Sequence, residues 1–155
     1  MLQHVNPPLL LSTWSFAVEA HGAAWPSFSS GGTSLDAVEA VCRHVEEDLS
    51  VDSVGLGGLP DSAGQVTLDA CVMLSPAHSG SVCAVSTHPH VTSLARAVME
   101  RTPHRLLAGP GAERFAEELG FEARELLTPQ TQEIYEAWLA DASSVGPQNI
   151  DPLLE

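Results

Sequence analysis

One stretch constrains this chain more than any other: Ser53-Val54-Gly55-Leu56-Gly57-Gly58-Leu59-Pro60-Asp61-Ser62-Ala63-Gly64-Gln65-Val66-Thr67-Leu68-Asp69-Ala70-Cys71-Val72-Met73. It joins a helical first part to a run of strands. Gly55, Gly57 and Gly58 allow positive φ at little steric cost. Leu59-Pro60-Asp61 followed by Gly64 reads as a turn, because Pro presets φ and Asp bonds its own backbone. Val66 to Met73 then reads as a largely apolar strand. A tight glycine loop opening onto a buried strand is a natural wall for a substrate pocket.

The rest of the composition narrows the partners. The 155 residues suit one domain with a sizeable core. Six Lys and Arg stand against 20 Asp and Glu, for a formal charge of −14. Nucleic acid and anionic membrane need basic patches, so neither is an expected partner. Cys42, Cys71 and Cys83 form no CxxC pair and leave an odd one over, which signals neither zinc nor a disulfide framework. They read as reduced, partly buried small hydrophobes. Leu9-Leu10-Leu11 is too short for a membrane span or a signal sequence, and no basic segment precedes it. The chain as written therefore carries no export address and reads as cytoplasmic.

Taken in order, Leu9 to Trp14 predicts a central strand. A helix follows over about Phe16–Phe28, ended or kinked by Pro26. The next helix is capped by Ser34, with Asp36 at its positive end. Its buried stripe is Leu35, Val38, Val41, Cys42 and Val45, and Glu39, Arg43, Glu46 and Glu47 form its solvated face. It ends near Asp48. Strands are expected at about Val66–Leu74 and Ser81–Ser86, joined by Pro76 to Gly80. A helix over Val91–Arg101 buries Leu94, Ala95, Val98 and Met99. Leu106–Ala108 is a short strand, Gly109-Pro110-Gly111 a turn, and Ala112–Leu119 a helix closed by Gly120 at C′. Thr128 caps a last helix with Pro129 at N1, carrying Ile134, Tyr135, Trp138 and Leu139 on one side to about Ala142. The fold class is α/β in layers of the α+β type rather than strict βαβ alternation. Residues 1–142 form the domain and residues 143–155 a linker or tail.

Several residues invite chemical readings. Asp61 and Asp69 are a possible carboxylate pair for acid–base work; a turn aspartate and a strand-flanking acceptor are the simpler roles. Gly55 to Gly58 resembles a phosphate cradle only superficially, since no Gly-Lys-Ser/Thr follows. His88 and His90, two apart, lack a third ligand at suitable spacing, so surface histidines at a helix start are expected and no metal. Trp25 and Trp138 sit on helical stripes and read as packing residues.

Five segments resemble a known family in order: Ser12-Thr13-Trp14-Ser15-Phe16, Ser30 to Glu39, Asp52 to Met73, Ser93 to His104, and Phe115 to Phe121. They resemble the α-subunit portion of glycosylasparaginase (aspartylglucosaminidase) and the related asparaginases and isoaspartyl peptidases, which are N-terminal-nucleophile hydrolases. The wording of Ser53 to Met73 leans toward the glycosylasparaginase branch. The resemblance implies a four-layer αββα sandwich, of which this chain would be a partial copy lacking the β-subunit half. It implies a precursor that cuts itself before a threonine, whose hydroxyl is then the nucleophile and whose own α-amine is the base. The substrate would be a small asparagine derivative, the product aspartate, and no cofactor is implied. Trp14 and Phe16 match residues lining the substrate pocket, and Ser53 matches the serine that orients the nucleophile.

The chain departs from that pattern decisively. No threonine in it is followed by Ile-Gly or Val-Gly, the family's nucleophile strand. Thr33 and Thr67 are poor substitutes, because neither is N-terminal. The expectations are a chain inactive alone, a β-subunit-like segment as its missing partner, and a tendency to form homo-oligomers through exposed strand edges. A catalytically dead fragment that only pairs with such a partner is the alternative. A relationship to glycosylasparaginase would place the protein in a lysosome instead.

Overall fold

The computed structural model describes residues 7–144. In order these form a 3₁₀ turn at Ser15–Ala17, helices α1 (Val18–Ser29) and α2 (Ser34–Glu46), strands β1 (Leu68–Ser75) and β2 (His78–Val85), helix α3 (Val91–Arg101), strand β3 (Leu106–Ala108), and helices α4 (Gly109–Glu118) and α5 (Pro129–Ser144). The architecture is mixed α/β: one small sheet with helices about it. Strand order is β1-β2-β3. The first two are antiparallel and β3 runs parallel to β2. Helix α3 makes that parallel crossover, so one βαβ unit sits within the layered plan.

Two apolar cores result. The larger gathers Val72, Val82 and Val85 of the sheet, Leu94 and Val98 of α3, Ala112 and Ala116 of α4, and Leu126. The smaller joins Ala17, Ala20 and Ala24 to Val41, Val45 and Val51. The small alanines of α1 let it lie close on α2. Between the cores runs a polar seam. Arg96 binds Asp36 at 2.7 Å, Glu39 at 2.6 Å and Glu100 at 2.8 Å. Ser93 donates to Glu39 and accepts from Arg43.

Helix α3 and strand β3 match expectation residue for residue. Gly120, at φ +77°, closes α4 in a Schellman arrangement, with Phe121 N–H donating to Ala116 O and Gly120 N–H to Glu117 O. Other expectations need correction. Leu9 to Trp14 is not a strand. Leu9 and Leu11 are 82% and 85% exposed, and no strand of the described sheet lies beside them to take their backbone bonds. Pro26 lies inside α1 and does not end it; its i−4 residue is Gly22, around which space is open. The α2 cap is Thr33, whose hydroxyl accepts from Asp36 N–H at 3.1 Å, and not Ser34.

The hairpin turn is only Pro76-Ala77, and Gly80 belongs to β2. A Cβ on Gly80 would strike Ala95 O and Met99 N, so this glycine permits the close seating of α3 on the sheet. Gly109-Pro110-Gly111 is the first turn of α4, with Pro in the tolerated position. Trp25 and Trp138, expected to pack, are about half exposed, and each packs against a ring of its own helix, Phe28 and Tyr135 respectively. Helix α5 continues past Ala142 to Ser144, and the rest of the expected tail lies outside the described residues. Met73, Leu74 and Leu106 stand exposed at the two outer strands, in keeping with the expected open edges.

Candidate active site

The glycine loop hangs from the end of α2. Leu56 N–H donates to Glu46 O at 2.8 Å, and Leu59 N–H to Asp52 O at 2.8 Å. Gly57 N–H donates to Leu126 O at 2.8 Å, pinning the loop to the larger core. Gly55 has φ +64°, and a Cβ there would collide with the backbone of Glu46. Only glycine fits, on both counts. Gly57 also has positive φ, whereas Gly58 does not.

This anchoring creates a cleft of about 400 Å³. Its walls come from four places. The 3₁₀ turn and the residue before it contribute Phe16 and Trp14, and the loop contributes Ser53, Val54 and Gly55. Strand β1 and the residue before it contribute Thr67, Leu68 and Asp69. Helices α2 and α3 contribute Val41, Cys42, Val45, Glu46, Val91 and Thr92. Trp14, Phe16 and Ser53, the three residues singled out by resemblance, thus meet in one cleft although up to 39 positions separate them in the chain. Trp14 and Phe16 stack, with ring centroids 6.3 Å apart and planes at 12°. Trp14 is 68% exposed, leaving most of its indole open to a ligand. The Ser53 hydroxyl makes no hydrogen bond among the described residues.

The remaining candidates fall elsewhere or take structural roles. Asp61 Oδ1 accepts from Ala63 N–H at 2.9 Å and Gln65 N–H at 3.0 Å, as a turn aspartate does. Asp69 lines the cleft, but its Oδ1 accepts from Ala84 N–H at 2.7 Å across an irregular part of the β1–β2 ladder. The two carboxylates are not a catalytic pair. Thr33 caps α2, and Thr67 lies on the cleft wall. His88 is no surface residue: it is fully buried, with Nδ1 2.8 Å from Thr87 Oγ1. Pro89 beside it is fully buried too. His90 is part-buried, with Nε2 3.0 Å from Glu47 and Nδ1 3.5 Å from Glu46. No group of three or more His, Cys, Asp or Glu among the described residues has the geometry to hold a metal ion.

Sequence reasoning missed the cleft's inner end. Glu46, assigned to the solvated face of α2, is 4% exposed. Its Oε1 accepts from Thr92 N–H at 2.9 Å, in the first turn of α3. Val38, assigned to the buried stripe, is exposed instead. The signal was present: Glu39, Cys42 and Glu46 fall at i, i+3 and i+7, one face of the helix, and that face meets α3. Burial pushes the Cys42 thiol up; the Thr92 hydroxyl opposes this, and the Glu46 and Glu39 carboxylates add to it. Cys42 therefore stays a neutral thiol at physiological pH and is a poor nucleophile. Taken together, the cleft offers aromatic walls, a free serine hydroxyl and a buried carboxylate, and among the described residues no activated nucleophile of its own.

Comparison with known proteins supplies the relationship. A family model described as asparaginase matches residues 12–153. The chain is 47% identical over 146 residues to N(4)-(beta-N-acetylglucosaminyl)-L-asparaginase of Elizabethkingia miricola, an alignment covering 94% of this chain and 43% of that protein. Identity to the mouse protein of that name is 40% over 134 residues, covering 86% and 38% respectively. For the rat protein it is 39% over 137 residues, covering 87% and 39%. The chain thus spans about two-fifths of the length of the curated relatives it matches. Matches on this scale, over nearly all of its residues, mean that the chain belongs to the asparaginase family, alongside the N4-(β-N-acetylglucosaminyl)-L-asparaginases.

Proposed function

We propose that this chain is the α-subunit-like part of a threonine-dependent amidohydrolase. The enzyme would cleave the side-chain amide of an asparagine derivative and release aspartate. N4-(β-N-acetylglucosaminyl)-L-asparagine is the substrate best supported, because the relatives at 39–47% identity carry that name; asparagine and isoaspartyl peptides share the same bond type. One observation carries the reading: Trp14, Phe16 and Ser53 line a single cleft in a chain of this family. In the proposed chemistry a threonine hydroxyl attacks the amide carbon and its own α-amine takes the proton. The C–N bond breaks, the leaving nitrogen takes that proton, and water then hydrolyses the acyl-enzyme. Trp14 and Phe16 hold the substrate and Ser53 orients the nucleophile.

That threonine would be supplied from outside these 155 residues, on a β-subunit-like segment. The open outer strands and the exposed Met73 and Leu106 support such a partner, since a second sheet laid there would complete a layered sandwich. The test has two arms. The purified 155-residue chain is expected to release no aspartate from any of the three substrate types. Co-produced with the remaining part of the Elizabethkingia relative, it should. In that assembly Trp14→Ala should act mainly on KM and Ser53→Ala mainly on kcat. Turnover by the chain alone would refute the external nucleophile; none in the assembly would refute the activity.

A further inference from the structure

We propose that Glu46 is a positioning residue, one that sets the Ser53 wall of the cleft against the α3 wall. Its functional meaning rests on the cleft being the substrate site, whereas its geometry rests on the fold alone. A carboxylate buried to this degree is costly unless it is hydrogen-bonded. Glu46 spends that cost at a junction of three elements. Its side chain accepts the Thr92 N–H, one of the donors that an α-helix leaves unpaired in its first turn. No side chain caps α3 from His90, the residue before it, so Glu46 does this work from another helix. The positive end of α3 in turn favours the carboxylate.

The main chain of the same residue holds the loop. Glu46 O accepts the Leu56 N–H, and Gly55 rests directly on the Glu46 backbone. Ser53, Val54 and Gly55 form one wall of the cleft, and Val91 and Thr92 form another. One residue therefore sets the spacing between them. The second carboxylate oxygen, Oε2, has no hydrogen-bond partner and faces His90 Nδ1, which has none either. The Glu46 side chain thus contributes one hydrogen bond to this junction, the one to Thr92 N–H, and its loss should be felt on both sides.

Residue-resolved amide exchange of the whole chain tests this without reference to catalysis, so it can fail or succeed independently of the proposed activity. Glu46→Met removes the acceptor while keeping the volume. It should speed exchange by about tenfold at Thr92, which loses its acceptor, and in the same direction at Leu56, which keeps its main-chain acceptor but loses the support of the junction. Glu46→Gln, which still accepts, should keep both within about twofold of wild type by the same reasoning. Val45→Ala is the control, a core truncation one residue away that should loosen core amides across α2 without singling out these two. Should Glu46→Met fail to fold, Glu46→Ala reads the same two amides. The proposal is overturned if Thr92 alone speeds up, if Gln behaves as Met does, or if the pattern matches Val45→Ala.

Discussion

Helices α3 and α5 look alike as sequence and differ in the fold. Each carries an apolar stripe at helical spacing: Leu94, Ala95, Val98 and Met99 in one, Ile134, Tyr135, Trp138 and Leu139 in the other. In α3 that stripe is buried, and most of its other face is too. It lies on the sheet, held close by Gly80, with α4 and the polar seam of α2 around it. In α5 the start is tied down. Thr128 and Thr131 cap it reciprocally, and the Tyr135 hydroxyl donates to Ser62 O at 3.2 Å. Beyond that, Ile134, Trp138 and Leu139 are exposed. A stripe shows which side of a helix would be buried. Whether it is buried depends on what the tertiary structure puts opposite.

The sharpest way to break this comparison is to truncate both helices. Leu94→Ala should cost about 2–5 kcal/mol in denaturant unfolding, because a fully buried side chain leaves a cavity. Trp138→Ala should stay within about 0.5 kcal/mol, as an exposed substitution does. Equal losses would mean that α5 is covered in solution. A smaller effect is expected where α3 meets the sheet. Gly80→Ala forces a Cβ into the α3 backbone and should cost about 1–3 kcal/mol. A neutral result would show that α3 is not seated as closely as described.

The smallest effect concerns the joint between α4 and β2. Burial alone would raise the Glu113 carboxyl, but the Ser86 N–H and hydroxyl, the Thr87 hydroxyl and nearby His88 hold it below the usual glutamate range. A carboxyl depressed on folding contributes stability above its unfolded pKa and loses it as pH falls through the folded one. Melting followed over about pH 5 to 3 should therefore decline less steeply in Glu113→Gln than in wild type. Identical slopes would mean that Glu113 holds no such bond in solution.

Much of the candidate site was legible before any coordinates. Ser53 and the glycines of its loop, Trp14 and Phe16 stood out through the resemblance, and the fold brings them together. Strand β3 and helix α3 were legible because their breakers are unambiguous: Thr102-Pro103 after one and Gly109-Pro110 after the other. The N-terminal segment was misread because Leu9 to Leu11 has the composition of a strand, and composition says nothing of whether a neighbouring strand exists. Glu46 and His88 were misread for the opposite reason. Charged and titratable residues default to the surface, and only a facing helix terminus or an enclosing turn makes their burial tolerable.

The sequence by itself determined what is local or inherited as a pattern: the stop of α3, the Gly120 cap of α4, the Thr128 cap of α5, the tight loop at Gly55, the acidic charge and the family. It could do so because turn chemistry and helical period depend on near neighbours. The tertiary structure decided what depends on distant ones. It put Trp14 and Ser53 across one cleft, buried the carboxylate of Glu46 under the start of α3, and left the stripe of α5 uncovered. Burial is a relation between surfaces, and a chain read one residue at a time names only one of the two.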